Sequence, residues 1–173
     1  RGGEQVRMSK RTGNAITLSD LLDEVPIEAA RFFFNMREPG TALDFDLDLA
    51  VEQSSQNPVY YVQYAHARVC SILKNLAAEG ISPEAPTAER LLLLTDPAER
   101  ELVRELAAFP EEIVAAAKNA IETATRFHKF YNACRCKCDD ADLMQARLSL
   151  CLATRQVIRN VLLMMKIDSP ETM

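Results

Sequence analysis

The string Arg7-Met8-Ser9-Lys10-Arg11-Thr12-Gly13-Asn14 gathers basic side chains, a hydroxyl and a turn-forming Gly-Asn pair into one short stretch. Ammonium and guanidinium groups held in such a turn can follow charge as it moves onto a leaving phosphate. A solvated basic loop has the same letters, so the short string alone does not decide. Further along, Tyr61, Tyr64 and Arg68 recur at i, i+3 and i+7, which on a helix lines one side with ring faces and a guanidinium. Such groups stack on bases or grip phosphates, although Tyr is also an ordinary residue at the edge of a core. Tyr131 and Arg135 sit one turn apart beside an apolar face of Phe127, Phe130, Cys134 and Cys138, with Arg126, Lys129 and Lys137 on its other flank. Arg155, Arg159 and Lys166 fall on one stripe of the last helical stretch. These basic groups are the candidates for positioning phosphates, and Tyr131 is the candidate for stacking on a base.

Other constellations carry less. Cys134, Cys136 and Cys138 suggest a metal, but on a helix Cys136 points away from Cys134 and the thiolates cannot converge, so the expectation is no metal. The two histidines, His66 and His128, have no acid and nucleophile at a motif spacing and read as structural hydrogen-bonding groups. Asp44, Asp46 and Asp48 lack the glycine and distal glutamate of a calcium loop and read as a helix entry or solvated loop.

The elements that must position these residues are helices. Ser19 is the expected cap of a short helix holding Leu21, Leu22 and Val25, and Pro26 opens the next, which carries Ala29, Phe32, Phe33 and Met36 until Pro39-Gly40. The acidic stretch 44–48 leads into a further short helix. Asn57-Pro58 is a cap followed by proline in the first turn, and Gly80 stands where a C-terminal cap belongs, so 58–79 reads as one long helix. Its apolar stripe is Val62, Ala65, Val69, Ile72 and Leu76. Residues 81–87 read as a loop and 91–94 as a short helix. Asp96-Pro97 begins a helix with the stripe Leu102, Val103, Leu106 and Phe109, ended or bent at Pro110. Two more helices are expected over roughly 111–138 and 142–166, with Asp139-Asp140 between them. No strand pair stands out, so the expected fold is all-α, a helical bundle with an irregular N-terminal segment.

A length of 173 residues suffices for one well-buried domain or two small ones, and 48% hydrophobic against 26% charged residues fits a soluble, helix-rich protein. No apolar run approaches the ~20 residues that span a bilayer, and neither a secretory leader nor a disulfide framework is evident among five cysteines. A cytoplasmic protein with reduced thiols and no membrane partner is expected. The formal charge of -5 argues on its face against nucleic acid. Its distribution argues otherwise: residues 38–57 and 80–117 carry -5 each, whereas residues 118–173 hold nine basic groups against six acidic ones. The chain opens at Arg1 without methionine and reads as a piece of something longer.

Taken together, Gly3, the stretch 7–14 and Thr17-Leu18 resemble the signature loop of class I aminoacyl-tRNA synthetases, in which Lys-Met-Ser-Lys-Ser is replaced here by Arg7-Met8-Ser9-Lys10-Arg11. The string from Asp46 to Ala50, then Gln53-Ser54, then Asn57 to Arg68 resembles the junction of catalytic and anticodon-binding domains in arginyl-tRNA synthetases. It also sets the chain apart from the related cysteine enzyme. Phe127 to Arg135, Ala146-Arg147, Ala153-Thr154-Arg155, Val157 to Asn160 and Pro170-Glu171-Thr172-Met173 resemble the helical anticodon-binding domain of the same family. The resemblance implies that residues 1–57 are the end of a catalytic domain and 58–173 an anticodon-binding domain. It implies that Lys10 stabilises the pyrophosphate leaving group, with Met8 and Ser9 shaping the loop, and that Tyr131 and Met173 lie where the family contacts the anticodon loop. The intact enzyme would be a monomer joining arginine to arginine tRNA at the expense of ATP with magnesium. The chain alone would hold no cofactor and fail to activate arginine, since it lacks the His-x-Gly-His signature and any strands to carry it. Around Lys118 to Ala120 the sequence is shorter than the family pattern, by a true deletion or an omitted segment. The rival reading is a helical protein-interaction module that binds no RNA and uses the acidic 80–117 face.

Overall fold

A computed structural model of the chain describes residues 2–4, 6, 17–38, 40–110 and 116–173, and in Ala116 the backbone alone. The stretch 7–14, Pro39 and the expected helix start at 111–115 lie outside the described residues. Among the described residues there are eight helices and no strand. None of the helices is long and apolar enough to cross a membrane.

Six of the eight described helices begin where a side chain takes up an orphan backbone amide. Helix α1 (Leu18–Glu24) is capped by Thr17 rather than by the expected Ser19. The Thr17 hydroxyl accepts from the Asp20 amide at 3.2 Å while the Asp20 carboxylate accepts from the Thr17 amide at 2.7 Å, a reciprocal box two residues earlier than Ser19 could build. The Thr17 hydroxyl also donates to the Asp20 carboxylate at 2.7 Å, and this bond first, with the Thr17 amide second, holds the Asp20 carboxyl below its usual range. Helix α2 (Ile27–Asn35) follows Pro26 and buries Ala29, Ala30, Phe32 and Phe33. Helix α3 (Leu47–Val51) is capped by Asp46, which accepts from the Leu49 amide, so the acidic stretch is a helix entry. The adjoining Asp48 carboxylate accepts from the Gly2 amide at 2.6 Å.

Helix α4 (Pro58–Ala78) is the long helix expected from Asn57-Pro58. Asn57, itself buried, caps it through Val59 and donates to the carbonyls of Ala50 and Glu52, tying α3 to the start of α4. At its end Gly80 adopts φ +80°, and the amides of Gly80 and Ile81 bond back to the carbonyls of Ala77 and Leu76. This closing turn needs a residue in the left-handed region, which glycine enters without a Cβ penalty.

The expected short helix at 91–94 is displaced: α5 spans Ala88–Leu91, because the Thr87 hydroxyl accepts from the Arg90 amide and starts the turn earlier. Helix α6 (Pro97–Ala108) begins at a second reciprocal box, Asp96 with Glu99. Of its expected stripe, Leu102 is fully buried and Val103 is exposed.

Helix α7 (Ala116–Ala133) stops five residues short of the expected 138, and α8 (Ala141–Met164) follows a cap by Asp140. Residues 134–140 are irregular, so the helical-wheel argument about Cys136 does not apply: Cys134 and Cys136 are both buried and Cys138 is partly exposed. The Cys136 Sγ lies 3.6 Å from the Cys151 Sγ of α8. Burial, with Glu99 and Asp96 nearby, pushes the Cys134 thiol up to about 12. Lys166 is not on a helical stripe with Arg155 and Arg159. It takes φ 57° just past the end of α8, and the amides of Lys166 and Ile167 bond to the carbonyls of Leu163 and Leu162 in the turn that glycine makes after α4.

One core runs through the bundle. Phe32 and Phe33 of α2, Val62, Ala65 and Val69 of α4, Phe127 and Phe130 of α7 and Ile158, Val161 and Leu162 of α8 all join it. Inside its polar margin, the Glu99 side chain is 1% exposed and accepts from the Asp96 amide at 3.0 Å and from Arg147 Nε at 2.7 Å. Arg147 also donates to the carbonyl of Arg135 at 2.8 Å, so one guanidinium binds α6, α8 and the 134–140 segment. Removing it leaves a buried carboxylate without its counter-charge. Arg147→Ala is expected to lower unfolding free energy by about 3 kcal/mol in urea denaturation, the scale of a broken buried pair.

Candidate nucleic-acid interface

The aromatic stripe of α4 meets α7 along a seam, and the two helices together build a cluster that neither could form alone. The Arg68 guanidinium lies over the Tyr64 ring at 4.6 Å and over the Tyr131 ring at 4.5 Å, so a cation from α4 stacks on one ring from each helix. Arg68 Nη2 also donates to the Tyr64 hydroxyl at 2.6 Å, and Nη1 lies 3.3 Å from His128 Nδ1. Because arginine only donates, Nδ1 accepts and His128 is the tautomer protonated at Nε2. The His128 ring packs on Tyr61 and Tyr64 with centroids 4.8 and 5.8 Å apart, and Phe127 underlies both His128 and Tyr131. Tyr61 is half-buried, while Tyr64 is 36% and Tyr131 40% exposed. The outer rings therefore present faces and hydroxyls to solvent.

Electrostatically the cluster is a cation. Among the described residues no carboxylate forms an ion pair with Arg68. Burial, reinforced by the Arg68 guanidinium and opposed by the Tyr61 backbone, pushes His128 down to about 4. Lys129 and Arg135 are exposed and make no ion pair among the described residues, and Arg135 stands beyond the end of α7, not one helical turn from Tyr131. Arg126 and Lys137, by contrast, are engaged with Glu101 and Glu79.

Arg155 and Arg159 of α8 line a separate cavity with His66. Met173 lines another, next to Tyr60, Gln63 and Asn57, and none of Tyr61, Tyr64, Arg68 and Tyr131 shares it. The C-terminal segment is held there because Gln63 Nε2 donates to the Asp168 carbonyl, the Asp168 amide donates to Glu28, and His66 Nδ1 donates to the Pro170 carbonyl. Arg7, Met8, Ser9, Lys10 and Arg11 lie outside the described residues. The two histidines make the structural hydrogen bonds expected of them, His66 to the Pro170 carbonyl and His128 with Arg68, but their place in these clusters goes beyond that expectation; the signal available was that His66 shares a helix face with Gln63 and Cys70, and that His128 precedes Lys129 in an aromatic-rich string.

His128 folds in its neutral form and must charge when exposed, so its burial contributes stability that is present above pH 6.5 and lost as pH falls toward 4. An NMR titration is expected to place the His128 midpoint near 4, and Arg68→Met to raise it, since the guanidinium is the second cause of the depression.

Residues 62–173 match the DALR anticodon binding domain. The chain is 49% identical over 181 residues to an arginine–tRNA ligase of Caldanaerobacter subterraneus, and 50% identical over 182 residues to one of Acetivibrio thermocellus; these matches cover 99% and 100% of the chain and 32% of each relative. The chain thus spans about a third of the length of the curated relatives it matches. Both alignments are longer than the chain's 173 residues, so the relatives contain residues that this chain lacks. Among solved structures, the Thermus thermophilus arginyl-tRNA synthetase superimposes with a TM-score of 0.70 at 25% identity, over 95% of this chain and 29% of that one. With more than half of its length inside the domain match, this all-α chain belongs to the DALR anticodon binding domain family.

Proposed function

We propose that the chain is the C-terminal part of an arginine–tRNA ligase, and that residues 58–173 bind the anticodon arm of arginine tRNA. The observation that carries this reading is the Arg68 guanidinium stacked between Tyr64 and Tyr131, with no carboxylate partner among the described residues and edged by exposed rings. Exposed rings are platforms on which unstacked loop bases settle, and the guanidinium held against them can take the adjoining phosphate with its remaining N–H groups. Tyr61 supports the platform from below through His128, and Lys129 and Arg135 position the RNA backbone. Met173 makes a contact of its own, outside the ring cluster.

Residues 1–57 are the end of the catalytic domain. Arg7 to Arg11 supply the loop that closes over ATP and its magnesium, and Lys10 steadies the departing pyrophosphate as arginyl-adenylate forms. The whole enzyme acts as a cytoplasmic monomer, and this chain by itself does not activate arginine. The rival docking surface is disfavoured because acids of the 80–117 stretch are committed within the chain: Glu84 holds Arg90, Glu99 holds Arg147 and Glu101 holds Arg126.

Fluorescence anisotropy tests the reading, with arginine tRNA set against a second tRNA at low and high salt. Preference for arginine tRNA and weakening with salt are expected; equal affinity for both, or no binding at low salt, would overturn it. Tyr131→Ala is expected to weaken tRNA binding by about 1–3 kcal/mol if a base stacks there. An unchanged dissociation constant would assign Tyr131 to packing. In the intact enzyme, Lys10→Ala is expected to slow ATP–pyrophosphate exchange while leaving tRNA affinity largely intact, and normal exchange would remove the role given to Lys10.

A further inference from the structure

On the side of α4 opposite the tyrosine stripe, a cavity of about 190 Å³ opens between α4, α8 and the C-terminal segment. Its walls are His66, Arg155, Arg159, Ser169 and Glu171. Arg155 and Arg159 are one helical turn apart and share a face. Among the described residues no carboxylate forms an ion pair with either, although Glu171 lines the same cavity. His66 is 3% exposed. Its Nδ1–H donates to the Pro170 carbonyl at 2.9 Å, and its Nε2 is buried without a partner. A buried polar nitrogen left unpaired is costly, and the chain keeps this one beside two unpaired guanidiniums.

We propose that this cavity is a phosphate-binding site. Arg155 and Arg159 grip the anion's oxygens, Ser169 donates its hydroxyl, and His66 takes up a proton at Nε2 and donates it toward the anion. Guanidinium forks and neutral donors are the groups that suit a tetrahedral oxyanion. The cavity is several times the volume of a single water, which leaves room for a phosphate group and the atoms attached to it. Glu171 is the internal competitor, placing a negative charge in the space the anion needs.

The charged and titratable groups facing His66 are Arg155 and Arg159 from α8, Glu171 from the C-terminal segment and Cys70 from α4, whose Sγ is 3.8 Å from Nδ1. Desolvation first, and the two arginines with it, hold His66 below its usual range against the opposing pull of the Pro170 carbonyl and Glu171. A bound anion reverses that balance, so occupancy is readable as a rise in the His66 midpoint. The phosphate is either free in solution or a phosphodiester of bound RNA; only the second source rests on the anticodon reading.

The test is an NMR titration of the His66 ring in the full 173-residue chain with inorganic phosphate, against sodium chloride at matched ionic strength. Phosphate is expected to raise the His66 midpoint saturably, and chloride is not. Arg159→Gln, an exposed position whose folding circular dichroism can verify, is expected to weaken the response about tenfold, the scale of one lost charge-assisted contact. Arg155→Lys keeps the charge, loses the fork and is expected to weaken it less, while Glu171→Gln is expected to tighten it. A His66 response equal in phosphate and chloride, or one that survives Arg159→Gln unchanged, overturns the proposal. A second arm adds an arginine-tRNA anticodon stem-loop. If RNA blocks the phosphate response, the backbone is the natural occupant; if it leaves the response intact, free phosphate is. Failure of tRNA to bind at all would sink the anticodon reading and leave the phosphate titration to decide this one.

Discussion

Helix α4 is packed on two sides at once, against α7 and against α8 with the C-terminal segment, and this constraint organises the rest of the molecule. Val62, Ala65 and Val69 are fully buried in the shared core, so the helix cannot rotate without exposing apolar surface on one side and burying charge on the other. Its angular register is therefore set. With that register, Tyr61, Tyr64 and Arg68 must emerge at the α7 seam, where Phe127, His128 and Tyr131 meet them. Gln63 and His66 must emerge on the other side, where they hold the carbonyls of Asp168 and Pro170.

The electrostatic division follows from the same packing. Acidic groups of the central region satisfy arginines of the chain, most firmly at Glu99, where a buried carboxylate is matched by Arg147 and a backbone amide. A desolvated carboxylate tolerates such a position only when both oxygens are occupied. Internal pairing consumes acid and leaves Arg68, Arg155 and Arg159 as cations that no described carboxylate neutralises. A net charge of -5 is thereby compatible with surfaces that attract phosphate.

Much of the helical layout was legible in the sequence, because capping is local. Asn57-Pro58 with Gly80 delimited α4 almost to the residue, and Asp96-Pro97 located α6. Errors arose where two caps competed or where tertiary contacts ended a helix early. Thr17 displaced Ser19 because it alone has Asp20 three residues on, and α7 ended at Ala133 although 134–138 carries no proline or glycine. In that segment Arg147 draws the Arg135 carbonyl away and Cys136 turns in toward Cys151, contacts with a helix that begins only at Ala141. Lys166 misled in the same way, since a left-handed lysine gives no compositional sign of a helix end.

The sequence by itself determined the all-α class, the span of α4, and the residue types of the ring stripe with their resemblance to a tRNA-reading domain. Those depend on periodicity and capping, which act over a turn or two and so can be read along the chain. Tertiary structure alone decided that Arg68 lies between Tyr64 and Tyr131, that His128 belongs to that cluster, and that Arg155 and Arg159 face His66 while Met173 lies elsewhere. Apart from Arg68 against Tyr64, one turn apart on the same helix, each of these is a distance between residues far apart in sequence. It is set by which helix faces bury together, and that choice is made by the packing of the whole core rather than by any segment within it.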